Sequence, residues 1–421
     1  MRLDHASRTL PNGDAVRRAC APKGTPRKEQ VNQVEHTEST SPPRPQSERI
    51  VGLDGLRGVS ILLVLFGHAA ATFPPDNRLE GVIPYLNYSS LGVTTFFIIS
   101  GFLITFLLRK EWEKSGTIRL RAFYARRVLR IFPAFYTFII TVTLLRAFGY
   151  IYTTYADISM AGLFLTNYKR LFTLPTNDHS WFVGHCWSLS LEEQFYLLWP
   201  ATILVLGIRR APHVAVLIVL TAPIIRVATY FTWPDARGLL GMMLHTGADP
   251  IMIGCSVALL QGRPRFDAIL NRFSSWCWPL FAGLFLFVLI PWVTMQFHEH
   301  YYYLYMLTVG TTLRALAVVF IMLWVIQHPT SLLGRVLSFS ILRYIGILSY
   351  SLYLWQQLFL TTKNSSWSGA FPVNLVACFV AAGLSYWLIE SPFLRLRDRF
   401  RAAPRSPIDT SGNNSLVKAE T

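Results

Sequence analysis

From Leu56 onward the chain alternates long apolar runs with short charged segments. Runs near 56–73, 91–108, 129–148, 187–208, 213–231, 241–260, 276–296, 308–327, 341–360 and 371–389 each approach the ~20 residues that a helix needs to cross hydrocarbon. The pattern predicts an all-α polytopic membrane protein with about ten transmembrane helices. A shorter piece, Ile158 to Tyr168, runs straight into Lys169 and Arg170 and reads as re-entrant or interfacial. Residues 1–49 are rich in Pro, Ser, Thr, Asn and Gln with mixed charge and cannot bury a core. They read as a disordered cytoplasmic tail, and the absence of a long apolar region before Arg49 argues against a secretory signal. Residues 401–421 have a similar composition, which leaves 50–400 as one transmembrane domain with no soluble domain expected at either end.

Composition supports lipid as the solvent. Only 15% of residues are charged against 52% hydrophobic, and the mean hydropathy is +0.36. The net charge of +16 is unevenly placed. Arg109, Lys110, Lys114, Arg119, Arg121, Arg126 and Arg127 fill the loop after the second run, with Arg209 and Arg210 after the fourth and Arg263, Arg265 and Arg272 after the sixth. The alternate loops are poor in Lys and Arg, so the positive-inside rule places both termini in the cytoplasm. The basic balance is then an orientation signal, and nucleic acid is not an expected partner. Five scattered cysteines, Cys20, Cys186, Cys255, Cys277 and Cys378, form no CxxC and have no histidine at metal spacing, so neither a disulfide framework nor a metal site is expected.

The polar residues within the apolar runs carry the chemistry. Asp54 and Arg57 open the first run and His68 closes it, eleven residues after Arg57. Eleven helical steps return to within roughly 20° of the starting direction and rise ~16 Å, so Arg57 and His68 share a face at two depths. Arg127 and Arg130 lie on one face at the cytoplasmic mouth of the third run. They read either as snorkelling anchors or, with Arg57 at the same level, as an anion site, since clustered guanidinium groups repel each other unless an anion sits among them. Glu192 and Glu193 fall two turns into the fourth run, where carboxylates are costly unless they face a polar cavity. Glu192 is expected ~8 Å below the outer surface, at a depth comparable to His68. Ser100-Gly101 in the second run either lets helices approach closely or leaves room for a ligand. Arg226, His245, Asp249 and Arg314 line a cavity or pair with each other, and Glu390 is expected to have a structural role.

These residues resemble the acyltransferase-3 family of integral membrane O-acyltransferases, which acylate glycans, lipids and small hydroxylated metabolites. The resemblance runs from about Arg49 to Arg399: LDGLRG with Arg57 and His68, FFIISGFLI at 96–104, Arg127 and Arg130, WSLSLEEQFYLLWP at 187–200 with Glu192, SYSLYLW at 349–355 and IESPF at 389–393. One position departs, because many members have a histidine directly after YLW and this chain has Gln356. Many members also carry an extracytoplasmic esterase-like domain after the last span, which is not expected here.

The resemblance implies acyl-coenzyme A, with acetyl the expected group, as donor, and a carbohydrate, glycolipid or small hydroxylated acceptor. Arg57, Arg127 and Arg130 would hold the donor's phosphates beside Ser100, and His68 would be general base to the acceptor hydroxyl. Glu192 is expected to orient the imidazole and Asp54 to position Arg57. Whether His68 instead becomes acylated and relays the group is left open. The competing class is a lipid or small-solute transporter with a midplane polar site.

Overall fold

The computed structural model describes residues 51–73, 88–172, 180–296, 305–363 and 369–401. All the regular structure of the described residues is helical, with no strand. Among the described residues, six helical segments are long and apolar enough to cross a membrane: Gly52–Thr72, Ser89–Ser115, Leu120–Ala147, Ala211–Thr232, Leu307–Gln327 and Val373–Asp398. A seventh is obtained if Pro264–Arg272 and Cys277–Val293, bent by 78°, count as one broken span. Two of the runs expected to span, 187–208 and 341–360, form helices of 21 and 20 residues outside these six. Glu192, Glu193 and Gln194 in one, and Arg343, Gln356 and Gln357 in the other, put polar side chains into their apolar sequence. The run at 241–260 yields only a 12-residue helix, Asp249–Leu260. The short piece at 158–168 forms an eight-residue helix, Tyr155–Gly162, and part of a tight turn, too short to span.

Five helices build the site: α1 (Val51–Ala69), α2 (Ser89–Ser115), α3 (Leu120–Ala147), α4 (Cys186–Leu206) and α5 (Ser340–Phe359). Between lipid-soluble surfaces the hydrophobic effect does little, so helices associate through close packing and hydrogen bonds. Among these five, a close approach joins α1 and α5. A Cβ on Gly346 would lie 1.9 Å from the Asp54 carbonyl oxygen, and one on Gly58 would lie 2.2 Å from that of Leu342, so only glycine fits at this crossing. The two helices run parallel from there. Ten residues beyond Gly58 and ten beyond Gly346, side chains of His68 and Gln356 meet. At ~1.5 Å per residue both have climbed ~15 Å.

A comparable contact fixes α2. A Cβ on Gly101 would lie 1.9 Å from the Ile251 carbonyl oxygen, so this glycine serves helix packing. The neighbouring Ser100 side chain turns to α4 instead. Above the α1–α5 crossing a core of Ile61, Val64, Leu65, Phe135, Phe138 and Leu352 closes the bundle.

Away from the site, Arg226 and Asp249 pair with each other, with Nη2 to Oδ2 at 3.1 Å, both almost fully buried, and the Thr312 hydroxyl donates to the same carboxylate at 2.6 Å. Arg314 donates to the Ser90 hydroxyl at 2.9 Å, and His245 stacks on Tyr168. These groups are therefore held by structural partners. Helix Ala211–Thr232 exposes Leu217, Leu220, Ile224 and Phe231, a stripe at helical spacing suited to lipid. Cys186, Cys255 and Cys378 are buried and free, Cys277 is half-buried, and Cys20 lies outside the described residues.

Candidate active site

The polar residues of α1 occupy two stations. At the first, Arg57 of α1, Ser100 of α2, Arg127 and Arg130 of α3, and Glu192 and Tyr196 of α4 converge. Ser100 Oγ donates to Glu192 Oε1 at 2.7 Å, and the Tyr196 hydroxyl donates to Ser100 Oγ at 3.3 Å. The Arg127 guanidinium lies over the rings of Tyr196 and Phe123, at 5.3 and 5.5 Å from their centroids. Arg57 is within electrostatic reach of Arg130, Asp54, Tyr196 and Glu192, and Glu192 within reach of all three arginines. Arg57 and Arg130 are half-buried, yet among the described residues neither makes a hydrogen bond or an ion pair. Two such guanidinium groups, close enough to repel each other, have donors unspent on protein and suit a polyanionic group.

Two carboxylates border this station without neutralising it by contact. Glu193 lies within electrostatic reach of Arg127. Glu390 ends a π-helical turn, Tyr386–Glu390, in the last helix, and accepts from Ser351 Oγ at 2.9 Å within electrostatic reach of Arg130 and Arg57. Such wide turns inside α-helices redirect a side chain that a regular helix would aim elsewhere.

The second station lies ~16 Å further along α1. There His68 Nδ1 is 2.6 Å from Gln356 Oε1, and the indole of Trp181 packs edge-on to the imidazole, with centroids 5.7 Å apart. Next to it His185 contacts Gln357 Oε1 at 2.7 Å and the Leu354 carbonyl at 3.1 Å.

Glu192, the expected neighbour of His68, is instead bonded to Ser100 among the arginines. The residue that reaches the His68 level is His185, two residues ahead of the fourth run and just before α4 begins at Cys186. Glu192 lies seven residues beyond it, or ~10 Å along the helix, and so falls at the arginine station. Arg57, Arg127, Arg130 and Ser100 lie together around Glu192, and Asp54 lies within electrostatic reach of Arg57. Sequence reasoning missed that Gln356 is the partner of His68. The matched ten-residue steps Gly58 to His68 and Gly346 to Gln356 carried that information, once the two glycines are placed at one crossing. Trp181 and Tyr196 had no signal beyond being aromatic. Among the described residues, no three His, Cys, Asp or Glu side chains are grouped to hold a metal ion.

Membrane-length helices that gather three arginines at one level and a hydrogen-bonded histidine at another define a polytopic membrane protein with a polar site inside its bundle. The chain belongs to the acyltransferase-3 family, whose model, described as an acyltransferase domain, matches residues 50–390. It is 28% identical over 372 residues to the peptidoglycan O-acetyltransferase OatA of Listeria monocytogenes, covering 82% of this chain and 55% of that protein. It is 29% identical over 368 residues to the Bacillus subtilis protein named "Putative peptidoglycan O-acetyltransferase YrhL", covering 82% of this chain and 54% of the other. The chain thus spans about half the length of the curated relatives it matches. No solved structure matches it.

Proposed function

We propose that this protein is a membrane O-acetyltransferase that moves an acetyl group from acetyl-coenzyme A to a hydroxyl of a cell-envelope carbohydrate, glycolipid or small metabolite. The observation that carries this reading is the placement, on one helix, of an arginine that has no hydrogen bond or ion pair among the described residues at one level and a histidine hydrogen-bonded to a side chain at another. Sugar of the peptidoglycan type is the first acceptor to try, since OatA is named for it.

In this reading about ten spans cross the cell membrane between tails 1–49 and 401–421, both cytoplasmic. The arginine station then opens to the side where acyl-coenzyme A is made. Arg57, Arg127 and Arg130 bind the donor's phosphates, Asp54 holds Arg57 in place, and Glu192, held by Ser100, balances the cluster when the donor is absent. The pantetheine arm runs along α1 towards His68. There the imidazole Nε2 takes the proton of the acceptor hydroxyl as its oxygen bonds to the thioester carbonyl carbon. The carbon–sulfur bond then breaks, and the coenzyme A thiolate leaves and takes the proton from the imidazolium.

The test is release of free coenzyme A by protein reconstituted in lipid, given acetyl-coenzyme A and soluble peptidoglycan fragments. Wild-type protein releases thiol and acetylates the fragments, and His68→Ala does neither. A transporter with a midplane polar site would release no thiol under any condition. Unchanged acetylation by His68→Ala would remove the general-base assignment.

A further inference from the structure

Gln356 is fully buried near the end of α5, and only one end of its amide is satisfied. Oε1 faces His68 Nδ1 at 2.6 Å, whereas Nε2 has no hydrogen-bond partner among the described residues. A buried amide with an unmet donor is disfavoured, so its place in the bundle calls for a reason at its other end. A carbonyl oxygen can only accept, so the imidazole nitrogen facing it must carry hydrogen. The tautomer with hydrogen on Nδ1 leaves a lone pair on Nε2, the form a general base requires. Glu192, the carboxylate expected in this role, lies at the arginine station.

We propose that Gln356 is the positioning residue of His68: its Oε1 holds the imidazole in the Nδ1–H tautomer and in one ring orientation, the task a carboxylate performs in other histidine-based sites. The inference rests on His68 being the base. It assigns a role to the position at which this chain departs from the family pattern, and the hydrogen-bonding partner is here a neutral amide. The α1–α5 crossing at Gly58 and Gly346 sets the distance between the two side chains. No proton passes to Gln356 during transfer; the amide only accepts from Nδ1–H before, during and after the step.

The test compares Gln356→Met, which removes the acceptor oxygen, with Gln356→Glu, which retains one. Both are measured in the lipid-reconstituted full chain with acetyl-coenzyme A and peptidoglycan fragments, alongside His68→Ala. Gln356→Met is expected to lower kcat by about 10- to 100-fold while KM for acetyl-coenzyme A stays within about twofold, because the donor station is untouched. Gln356→Glu is expected to recover most of that loss. Imidazole nitrogen-15 shifts of histidine-labelled protein, assigned by difference against His68→Ala, supply a readout independent of turnover. They should report Nδ1–H for His68 in the wild type and a mixture in Gln356→Met. A wild-type kcat in Gln356→Met, or an Nε2–H tautomer in the wild type, overturns the proposal. If His68→Ala is itself active, the base assignment has failed instead, and the tautomer measurement still decides whether Gln356 sets the ring.

Discussion

Replacing Gly346 with alanine adds one methyl group at the point where α1 and α5 touch. Its carbon would lie 1.9 Å from the Asp54 carbonyl oxygen, where ordinary contact begins at 3.4 Å. Backbone stands on both sides, so no side chain can swing away, and the helices must separate by about 1.5 Å or shift along one another. Overpacking of this kind costs about 1–3 kcal/mol, which for a domain of this size lowers the melting temperature by about 1–4 °C. The same separation carried to the far end would stretch the His68–Gln356 hydrogen bond from 2.6 Å to about 4 Å, beyond the range in which such a bond survives. Gly346→Ala should therefore lose both stability and turnover. Gly383→Ala is the control, because a Cβ there meets nothing within 4 Å. Thermal unfolding in detergent and thiol release in lipid are the two assays. If Gly346→Ala melts and turns over like Gly383→Ala, the parallel close contact of α1 and α5 is wrong.

Three other outcomes are expected. Arg57→Ala and Arg130→Ala should each raise KM for acetyl-coenzyme A by roughly 10- to 150-fold, the equivalent of one charge-assisted hydrogen bond of ~1.5–3 kcal/mol, as steady-state kinetics will show. Asp249→Leu should destabilise the protein by ~3–5 kcal/mol because it strands the buried Arg226 guanidinium, and adding Arg226→Met should restore most of that in thermal scans. Glu192→Gln should alter donor binding but leave the His68 nitrogen-15 shifts where they are, since Glu192 is bonded to Ser100 and not to the histidine.

The sequence was most informative where periodicity and chemistry coincide. The eleven-residue interval from Arg57 to His68 fixed two stations on one helix face, and the unusual density of arginine beside an apolar run marked Arg127 and Arg130. Depth across different helices was less legible. An error of a few residues in where α4 enters moves Glu192 by ~1.5 Å per residue, and the run at 187–208 gave no sign that His185, ahead of the helix proper, would stand level with His68. Run length alone also could not tell a spanning helix from the 12-residue Asp249–Leu260. Nor could residue type alone separate the structural arginines from the free ones. Arg226 finds Asp249 and Arg314 finds Ser90, whereas Arg57 and Arg130 find no protein partner among the described residues. That distinction exists only in three dimensions.

In the proposed mechanism one helix carries donor binding at its Arg57 station and proton transfer at its His68 station. Equilibrium binding of acetyl-coenzyme A to His68→Ala and to Arg57→Ala, in the same lipid and beside wild type, separates the two tasks. His68→Ala should bind the donor within about twofold of wild type while releasing no thiol, and Arg57→Ala should bind it roughly 10-fold or more weakly. Loss of donor binding in His68→Ala equal to that in Arg57→Ala, or wild-type binding in Arg57→Ala, would contradict the separation of the two tasks.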